Sequence, residues 1–420
     1  MAITNFSWEP DVTEILIDEL GHLGDGVGHL AGKPVFVPFA LPGERIEADI
    51  EGGRARLVSI LAASDDRAEP PCPHYGVCGG CSLQHLKAGA YTAFKRRLVV
   101  DALADRGLAP PVAEPVLVPP ASRRRATFAG LMAGGHRPIV GFNERMSHRL
   151  VTLETCPVIR PELMSAQPAL AALVEAIRPR KGALDFSVTT CETGLDVMVS
   201  GFPARDVDRL RLTLIDIANR FDLARLSAAG EVVVERRPPL VTIDGVAVVP
   251  PPGGFLQACG EAEDAMAALV TAAVGKAKRV ADLYAGVGTF ALRLARTADV
   301  YAAEGEAGAV AALDRAARGL TGRHRITAER RDLSRRPLIE KELDKFDAVV
   351  FDPPRTGAAE QSQWLARSKV ATVVAVSCNP ATLARDLKTL VDGGYRLDSV
   401  TPVDQFLWSS HVEVVAVLRR

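Results

Sequence analysis

The residue types that can do chemistry gather at a few places in this 420-residue chain. The segment Val376-Ser377-Cys378-Asn379-Pro380-Ala381-Thr382-Leu383-Ala384-Arg385-Asp386 follows an apolar, β-branched run over 370–376 and precedes a helical pattern over 381–391. That order places Cys378 on a turn at the carboxyl end of a strand, where reacting groups collect in open α/β sheets. Its neighbours Ser377 and Asn379 are polar, so the thiol is placed as a nucleophile rather than as a core residue. A second group of thiols, Cys72-x5-Cys78-x2-Cys81, lies in Pro/Gly-rich loop sequence, with Cys156 far downstream in Glu-Thr-Cys-Pro. Four thiolates can hold tetrahedral zinc or an iron–sulfur cluster. Zinc ribbons offer two Cys-x2-Cys pairs, and the three-plus-one pattern here favours a cubane cluster. Cys191 and Cys259 fit no spacing and read as packing residues.

A third group is a glycine loop, Asp282-Leu-Tyr284-Ala-Gly286-Val-Gly288-Thr289-Phe290, which ends one strand and opens a helix. Gly286 and Gly288 permit a tight turn and close approach to a ligand. Glu304 ends the next strand about twenty residues later, the position from which an acid receives ribose hydroxyls. The loop lacks the third glycine of the dinucleotide fingerprint, which argues against a pyrophosphate. A nucleoside ligand without phosphates fits better, and S-adenosylmethionine is the common one. Asp352-Pro353-Pro354-Arg355-x-Gly357 follows a further strand and supplies an acid on a rigid loop, because paired prolines can neither continue a strand nor donate backbone hydrogen bonds.

The elements that must position these groups fall into three regions. Residues 1–62 read as a small β-barrel, with strands near 12–17, 34–38, 44–50 and 54–61 broken by glycines. Residues 63–250 read as a central α+β domain carrying the cysteine cluster, with helices over 161–178 and 204–220 and strands over 185–190, 195–200 and 231–235. A helix near 90–112 is placed to pack on the last domain. Pro250-Pro251-Pro252-Gly253-Gly254 marks the boundary, and 251–420 alternates strands with helices as a doubly wound, Rossmann-like sheet does. The fold class is therefore multidomain α/β.

With 48% hydrophobic and 24% charged residues, the composition is that of an ordinary globular protein. A net charge of −1 gives no support to uniform coating of nucleic acid, so contact must come from local patches such as 95–97, 123–125, 278–279 and 323–336. No apolar stretch has the length to cross a bilayer, and the N-terminus has no basic or apolar leader pattern. The cytoplasm is the expected location, where clustered thiols serve metals or catalysis.

Taken together, Gly254-Phe255-Leu256-Gln257, the glycine loop, Asp-Pro-Pro-Arg-x-Gly, Ser-Cys-Asn-Pro-x-Thr-Leu-Ala-Arg-Asp and His411-Val412-Glu413-Val414 resemble the RNA uracil-5-methyltransferase family. They are most similar to its iron–sulfur branch, which methylates 23S ribosomal RNA. The N-terminal barrel resembles the TRAM (OB-like) domain that this branch carries for RNA contact. The resemblance implies Cys378 as nucleophile and Glu413 as general base. It implies that Gln257, Tyr284, Gly286, Gly288, Glu304, Asp332 and Asp352 line the S-adenosylmethionine site, and that Cys72, Cys78, Cys81 and Cys156 hold [4Fe–4S]. Cys259 and Thr289 stand where relatives commonly carry asparagine.

Carbon 5 of uracil is too weak a nucleophile to take a methyl group unaided. Thiolate addition at carbon 6 makes an enolate, so carbon 5 becomes electron-rich. A base must afterwards remove the carbon 5 proton before the thiolate can leave. The expected substrate is looped or single-stranded RNA, 23S rRNA foremost and tRNA next, with basic residues of 123–125 and 141–149 positioning phosphates. The protein is expected to be a monomer. Two readings compete: a non-catalytic iron–sulfur RNA-binding factor, which the intact Cys378, Glu413 and Asp352 oppose, and an amino-group methyltransferase, whose loop would carry an aromatic residue where Arg355 stands.

Overall fold

In the computed structural model, which describes residues 12–51, 53–179 and 181–420, the glycines near the N-terminus mark strands as well as breaks. β1 (Val12–Leu20), β2 (Gly26–Leu30), β3 (Lys33–Val37), β4 (Arg45–Glu51) and β5 (Arg54–Ala62) close into a barrel of order β1-β2-β3-β5-β4. β2 is absent from the sequence expectation because its glycines read as turns. They lie inside a strand because there is no room for a side chain. A Cβ at Gly28 would stand 2.5 Å from Ile15 Cγ2 and from the Leu16 carbonyl oxygen, and one at Gly26 would stand 2.7 Å from the Ala40 oxygen. Ile15, Ile17, Val35, Val37 and Ile46 fill the barrel. Residues 1–11 of the expected first domain lie outside the described residues.

The described chain divides into two compact units, one running to Phe94 and including Trp408–Ser410, the other comprising Lys95–Leu407 and His411–Arg420. The first holds the barrel and the cysteine loop. In that loop the Tyr75 hydroxyl donates to the Ser82 carbonyl at 2.7 Å, and Ser82 and Leu83 donate their amides to the Trp408 carbonyl at 2.8 and 3.0 Å.

The second unit starts within α1 (Ala88–Ala104), whose Val99 and Leu103 join the core beneath the large sheet. β6 (Val116–Leu117) follows. Next come β7 (Arg125–Ala133), β8 (Arg137–Asn143), β9 (Leu150–Thr152), α2 (Pro161–Met164), α3 (Gln167–Ile177), β10 (Leu184–Cys191), β11 (Gly194–Ser200), α4 (Asp206–Arg220), β12 (Arg225–Ala228) and β13 (Glu231–Glu235). Their strands form a sheet of order β13-β12-β11-β10-β7-β8-β9. A hairpin, β14 (Val241–Ile243) and β15 (Val246–Val248), leads out of it.

The remaining elements are α5 (Gly260–Val274), β16 (Arg279–Leu283), α6 (Ala291–Leu294), β17 (Asp299–Glu304), α7 (Ala307–Arg318), β18 (Ile326–Arg330), α8 (Glu340–Leu343) and β19 (Ala348–Phe351). After them come α9 (Ala359–Arg367), β20 (Thr372–Ser377), α10 (Pro380–Asp392), β21 (Arg396–Asp404) and β22 (Glu413–Arg419). The sheet order is β18-β17-β16-β19-β20-β22-β21-β6, parallel from β18 to β20, with β22 antiparallel to both its neighbours. β19 and β20 are almost wholly buried, as expected for parallel strands covered by helices on both faces. The chain reverses its winding direction between β16 and β19, and loops at that switch point form a ligand crevice. No helix among the described residues is long and apolar enough to cross a membrane.

Candidate active site

Strand register brings the proposed nucleophile and base together. β20 and β22 pair antiparallel, ending with Ser377 opposite Val414. One residue further, Cys378 falls opposite Glu413, and cross-strand neighbours of this kind project from the same face. Cys378 is half-buried, whereas Glu413 is 2% exposed.

The motif around Cys378 serves the geometry of the turn. Asn379 caps α10 by accepting the Ala381 amide at 3.1 Å, and Pro380 occupies the first helical turn, where a missing N–H costs nothing. Asn379 Nδ2 and Thr382 Oγ1 both donate to the Arg355 carbonyl, at 3.1 and 3.2 Å. Arg385 donates to the Thr356 carbonyl at 3.0 Å, and Asp386 accepts the Ala358 amide at 2.6 Å. Ser-Cys-Asn-Pro-x-Thr-Leu-Ala-Arg-Asp therefore fastens the Asp-Pro-Pro-Arg loop beside the thiol. Gly357 adopts a φ of 78°, and a Cβ there would stand 2.5 Å from Arg385 Nη2.

Asp352 extends from the carboxyl end of β19, its amide bonded to the Leu283 carbonyl at 3.2 Å. Gln257 Nε2 donates to Asp352 Oδ2 at 2.8 Å. Gln405 Nε2 donates to Gln257 Oε1 at 2.8 Å and to Glu413 Oε2 at 2.6 Å. The buried Glu413 carboxyl and the half-buried Asp352 carboxyl are thus joined through two buried amides. Gln405 is absent from the sequence expectations; the only available signal was its position eight residues before Glu413 on the loop between β21 and β22.

Burial dominates the electrostatics. It pushes Glu413 up to about 8, with the nearby Asp352 charge adding and the Gln405 hydrogen bond opposing. It pushes Asp352 up to about 7 against the Gln257 hydrogen bond. The Cys378 thiol rises to about 11, through burial first and the Glu413 and Asp352 charges next, while Arg355 opposes the rise. Desolvation disfavours each charged form, and the clustered acids reinforce the effect.

The cofactor loop has the strained turn that its glycines suggest. Tyr284 is held at φ 61°, Gly286 at 55° and Gly288 at 102°. A Cβ at Gly288 would stand 2.5 Å from Leu313 Cδ1, so this glycine permits helix packing. Beside Gly286 there is open space, with nothing within 4 Å of a Cβ there. Glu304 accepts the Gly286 amide at 2.9 Å and the Glu306 amide at 2.7 Å, which aims both its oxygens along the loop. Asp332 follows β18 on the same edge of the sheet, exposed, and accepts the Ser334 hydroxyl at 2.6 Å. Asp282 lies within β16 and is completely buried, and burial raises its pKa well above the usual carboxylate range. Glu304, Asp332 and Asp352 at the ends of β17, β18 and β19, with a glycine loop open beside them, fit the hydroxyls and amine of S-adenosylmethionine.

The basic runs have mostly structural duties. Lys95 is fully buried and paired with Asp404 at 2.7 Å, so it is no part of an RNA-facing patch. Arg124 is buried against Glu263 at 2.5 Å and donates to the Gln257 carbonyl at 3.0 Å. Arg125 donates to the Leu256 carbonyl at 3.1 Å and lies over the Phe255 ring. Arg124 and Arg125 therefore support the Phe-Leu-Gln segment, while Arg123 donates to the Arg125 carbonyl at 3.0 Å. Arg323 and Arg331 are likewise occupied, by Asp244 and Glu342.

Cys259 is buried, as expected of a packing residue. Cys72, Cys78 and Cys81 share one half-exposed loop of the first unit, where the Gly80 amide donates to Cys78 Sγ at 3.5 Å; Cys156 belongs to the second unit. Among the described residues no three His, Cys, Asp or Glu side chains are arranged to hold a metal ion.

The tRNA (uracil-5-)-methyltransferase family profile matches residues 251–420, and the TRAM domain profile matches 11–56. An uncharacterized RNA methyltransferase of Rhizobium meliloti is 48% identical over 412 residues, covering 97% of this chain and 99% of the relative. The 23S rRNA (uracil(1939)-C(5))-methyltransferase of Shewanella amazonensis is 33% identical, over 96% of this chain and 94% of the relative. Among solved structures, the Pyrococcus abyssi tRNA (uracil-54, C5)-methyltransferase in complex with S-adenosyl-L-homocysteine superposes with a TM-score of 0.73 at 25% identity, covering 96% of this chain and 99% of that one.

Proposed function

The chain belongs to the RNA uracil-5-methyltransferase family, and we propose that it methylates carbon 5 of a uridine in RNA through Cys378 and Glu413, with 23S rRNA as the favoured substrate. The observation that carries the proposal is the cross-strand placement of Cys378 and Glu413 beside the Asp352 loop. Cys378 adds to carbon 6 of the uracil. S-adenosylmethionine, when bound, supplies the methyl group that carbon 5 takes up. Glu413 then accepts the carbon 5 proton, the carbon 5–carbon 6 double bond re-forms, and the Cys378 thiolate leaves. A buried carboxylate with raised proton affinity suits that removal, and a general base of this kind contributes ~10²–10⁴-fold. Glu413 must be ionised to act, so the rate rises with pH through about 8.

The full-length similarity to a 23S rRNA enzyme, with a TRAM barrel preceding the catalytic sheet, favours rRNA over tRNA. A [4Fe–4S] cluster on Cys72, Cys78, Cys81 and Cys156 is part of the same reading, supported by three cysteines on one loop and by an amide aimed at a sulfur. Methyl transfer moves no electrons, so no catalytic step passes through it. Anaerobic purification should give a coloured protein with iron and sulfide; a colourless protein with one zinc would refute the cluster. Cytoplasmic location and a monomeric state complete the proposal.

Nucleoside mass spectrometry of rRNA and tRNA from a deletion strain should show 5-methyluridine lost from 23S rRNA. Loss from tRNA alone would overturn the substrate assignment. In vitro, Glu413→Gln should accumulate a denaturation-stable protein–RNA adduct and Cys378→Ala should form none. Turnover by Cys378→Ala would overturn the mechanism.

A further inference from the structure

Gln405 is 2% exposed, and its terminal amide makes contacts that leave one orientation open to it. Its Oε1 accepts the Ala258 backbone amide at 2.9 Å. A backbone N–H can only donate, so the oxygen must face Ala258 and the NH2 group must face the opposite way. There the NH2 group finds Glu413 Oε2 at 2.6 Å and Gln257 Oε1 at 2.8 Å. With its oxygen receiving that hydrogen, Gln257 must turn its own NH2 group to Asp352, at 2.8 Å. The hydrogen bonds therefore run in one sense, from Ala258 through Gln405 to Glu413, and through Gln257 to Asp352.

The loop carrying Gln405 is pinned on both sides. Buried Lys95 pairs with Asp404 Oδ1 at 2.7 Å, donates to the Phe406 carbonyl at 3.3 Å, and also donates to the His411 carbonyl. Phe406 returns its amide to Asp404 Oδ1 at 3.2 Å, and Cys259 Sγ lies 3.4 Å from the Gln405 carbonyl oxygen. A side chain anchored in this way holds its neighbours, where one on a free loop would follow them.

We infer that Gln405 is a positioning residue, which sets the Glu413 carboxylate for removal of the carbon 5 proton and couples its placement to the Gln257–Asp352 pair. The inference rests on Glu413 acting as the base. Gln405 offers hydrogens only, so it also stabilises the ionised carboxylate that the proton transfer needs. Addition of Cys378 to carbon 6 and uptake of the methyl group do not use the Gln405–Glu413 bond. Losing it should therefore separate methyl transfer from proton removal.

The test uses the full chain and, as probe, total RNA labelled with tritium at uracil carbon 5, drawn from a strain lacking this protein. Methyl incorporation from ¹⁴C-methyl S-adenosylmethionine and tritium release are followed in the same reaction. In the wild type the two keep pace. Gln405→Met, which keeps the length and removes both donors, should give a first methyl-transfer burst of normal amplitude at saturating S-adenosylmethionine. Tritium release should then lag by about 100-fold, the order of loss expected when a reacting group is misplaced by about an ångström, and a denaturation-stable adduct should accumulate. Gln405→Glu keeps the volume and serves if the methionine variant does not fold; it should move the acid limb of the tritium-release profile to higher pH.

A fall in both signals together, or tritium release unchanged at saturating RNA, would refute the assignment of Gln405. Glu413→Gln distinguishes this from failure of the underlying reading. If Glu413→Gln separates the two signals and the Gln405 variants do not, the Gln405 inference alone is wrong. If Glu413→Gln leaves the signals in step, Glu413 is not the base.

Discussion

Glu413→Gln should stabilise the folded chain, increasingly so as pH rises. Glu413 is 2% exposed and close to the Asp352 carboxyl, and its pKa moves from 4.5 to about 8 on folding. Below about 4.5 the group is protonated both folded and unfolded, and it contributes nothing unfavourable. Between 4.5 and about 8 the unfolded chain has released the proton while the folded chain keeps it, so stability falls as pH rises. Above about 8 the folded chain must hold the charge, and the full penalty is present. At ~1.4 kcal/mol per pKa unit, that penalty is on the order of 5 kcal/mol. The glutamine variant keeps the shape, still accepts the Gln405 hydrogen, and does not titrate. Urea unfolding of wild type and variant from pH 5 to pH 9 should give midpoints that separate steadily, with the variant higher and most of the separation reached by pH 8. A separation independent of pH, or a less stable variant at pH 9, would show that Glu413 is not a buried acid strained by ionisation. The electrostatic account of the site would then fail with it.

Three further outcomes follow from the packing around the site. Lys95→Ala should cost about 3–5 kcal/mol in urea unfolding, because Asp404 is left buried without its cation; the double variant Lys95→Met, Asp404→Leu should cost less than either single change. Asn379→Ala should cost about 1 kcal/mol through the lost cap and loosen the Arg355 loop. Asn379→Asp, which keeps the capping oxygen, should restore the stability but not the bond to Arg355, and amide exchange at residues 355–358 would report the difference. Cys378 in the free protein, pushed up to about 11, should react with iodoacetamide at pH 8 about 100-fold more slowly than an ordinary thiol. Peptide-level mass spectrometry measures this, and labelling as fast as that of free cysteine would contradict the effect of burial on this thiol.

Local order in the sequence was enough to place Cys378 on a strand-end turn, to recognise the glycine loop and Asp-Pro-Pro-Arg, and to read the doubly wound alternation after residue 251. Those features depend on neighbours along the chain: apolar runs of strand length, caps, and residues that force turns. The Ser-Cys-Asn-Pro motif was legible because most of its members act within a few residues, as the Asn379 cap and Pro380 do. What tertiary structure decided has the opposite character. β2 was hidden because its glycines answer to Ile15, Leu16 and Ala40, which are adjacent in space and not in sequence. Lys95 and Arg124 look like surface charge in a linear string, yet the folded chain buries them against acids 309 and 139 residues away. Gln405 had no motif to announce it, since an amide becomes a positioning group only where a donor on one side and a carboxylate on the other fix its orientation. The sequence alone put a thiol expected to be a nucleophile, an acid and a nucleoside loop in one chain. Antiparallel pairing of β20 with β22 put the thiol opposite the acid, and burial there, which no linear pattern encodes, set the proton affinities on which the proposed chemistry depends.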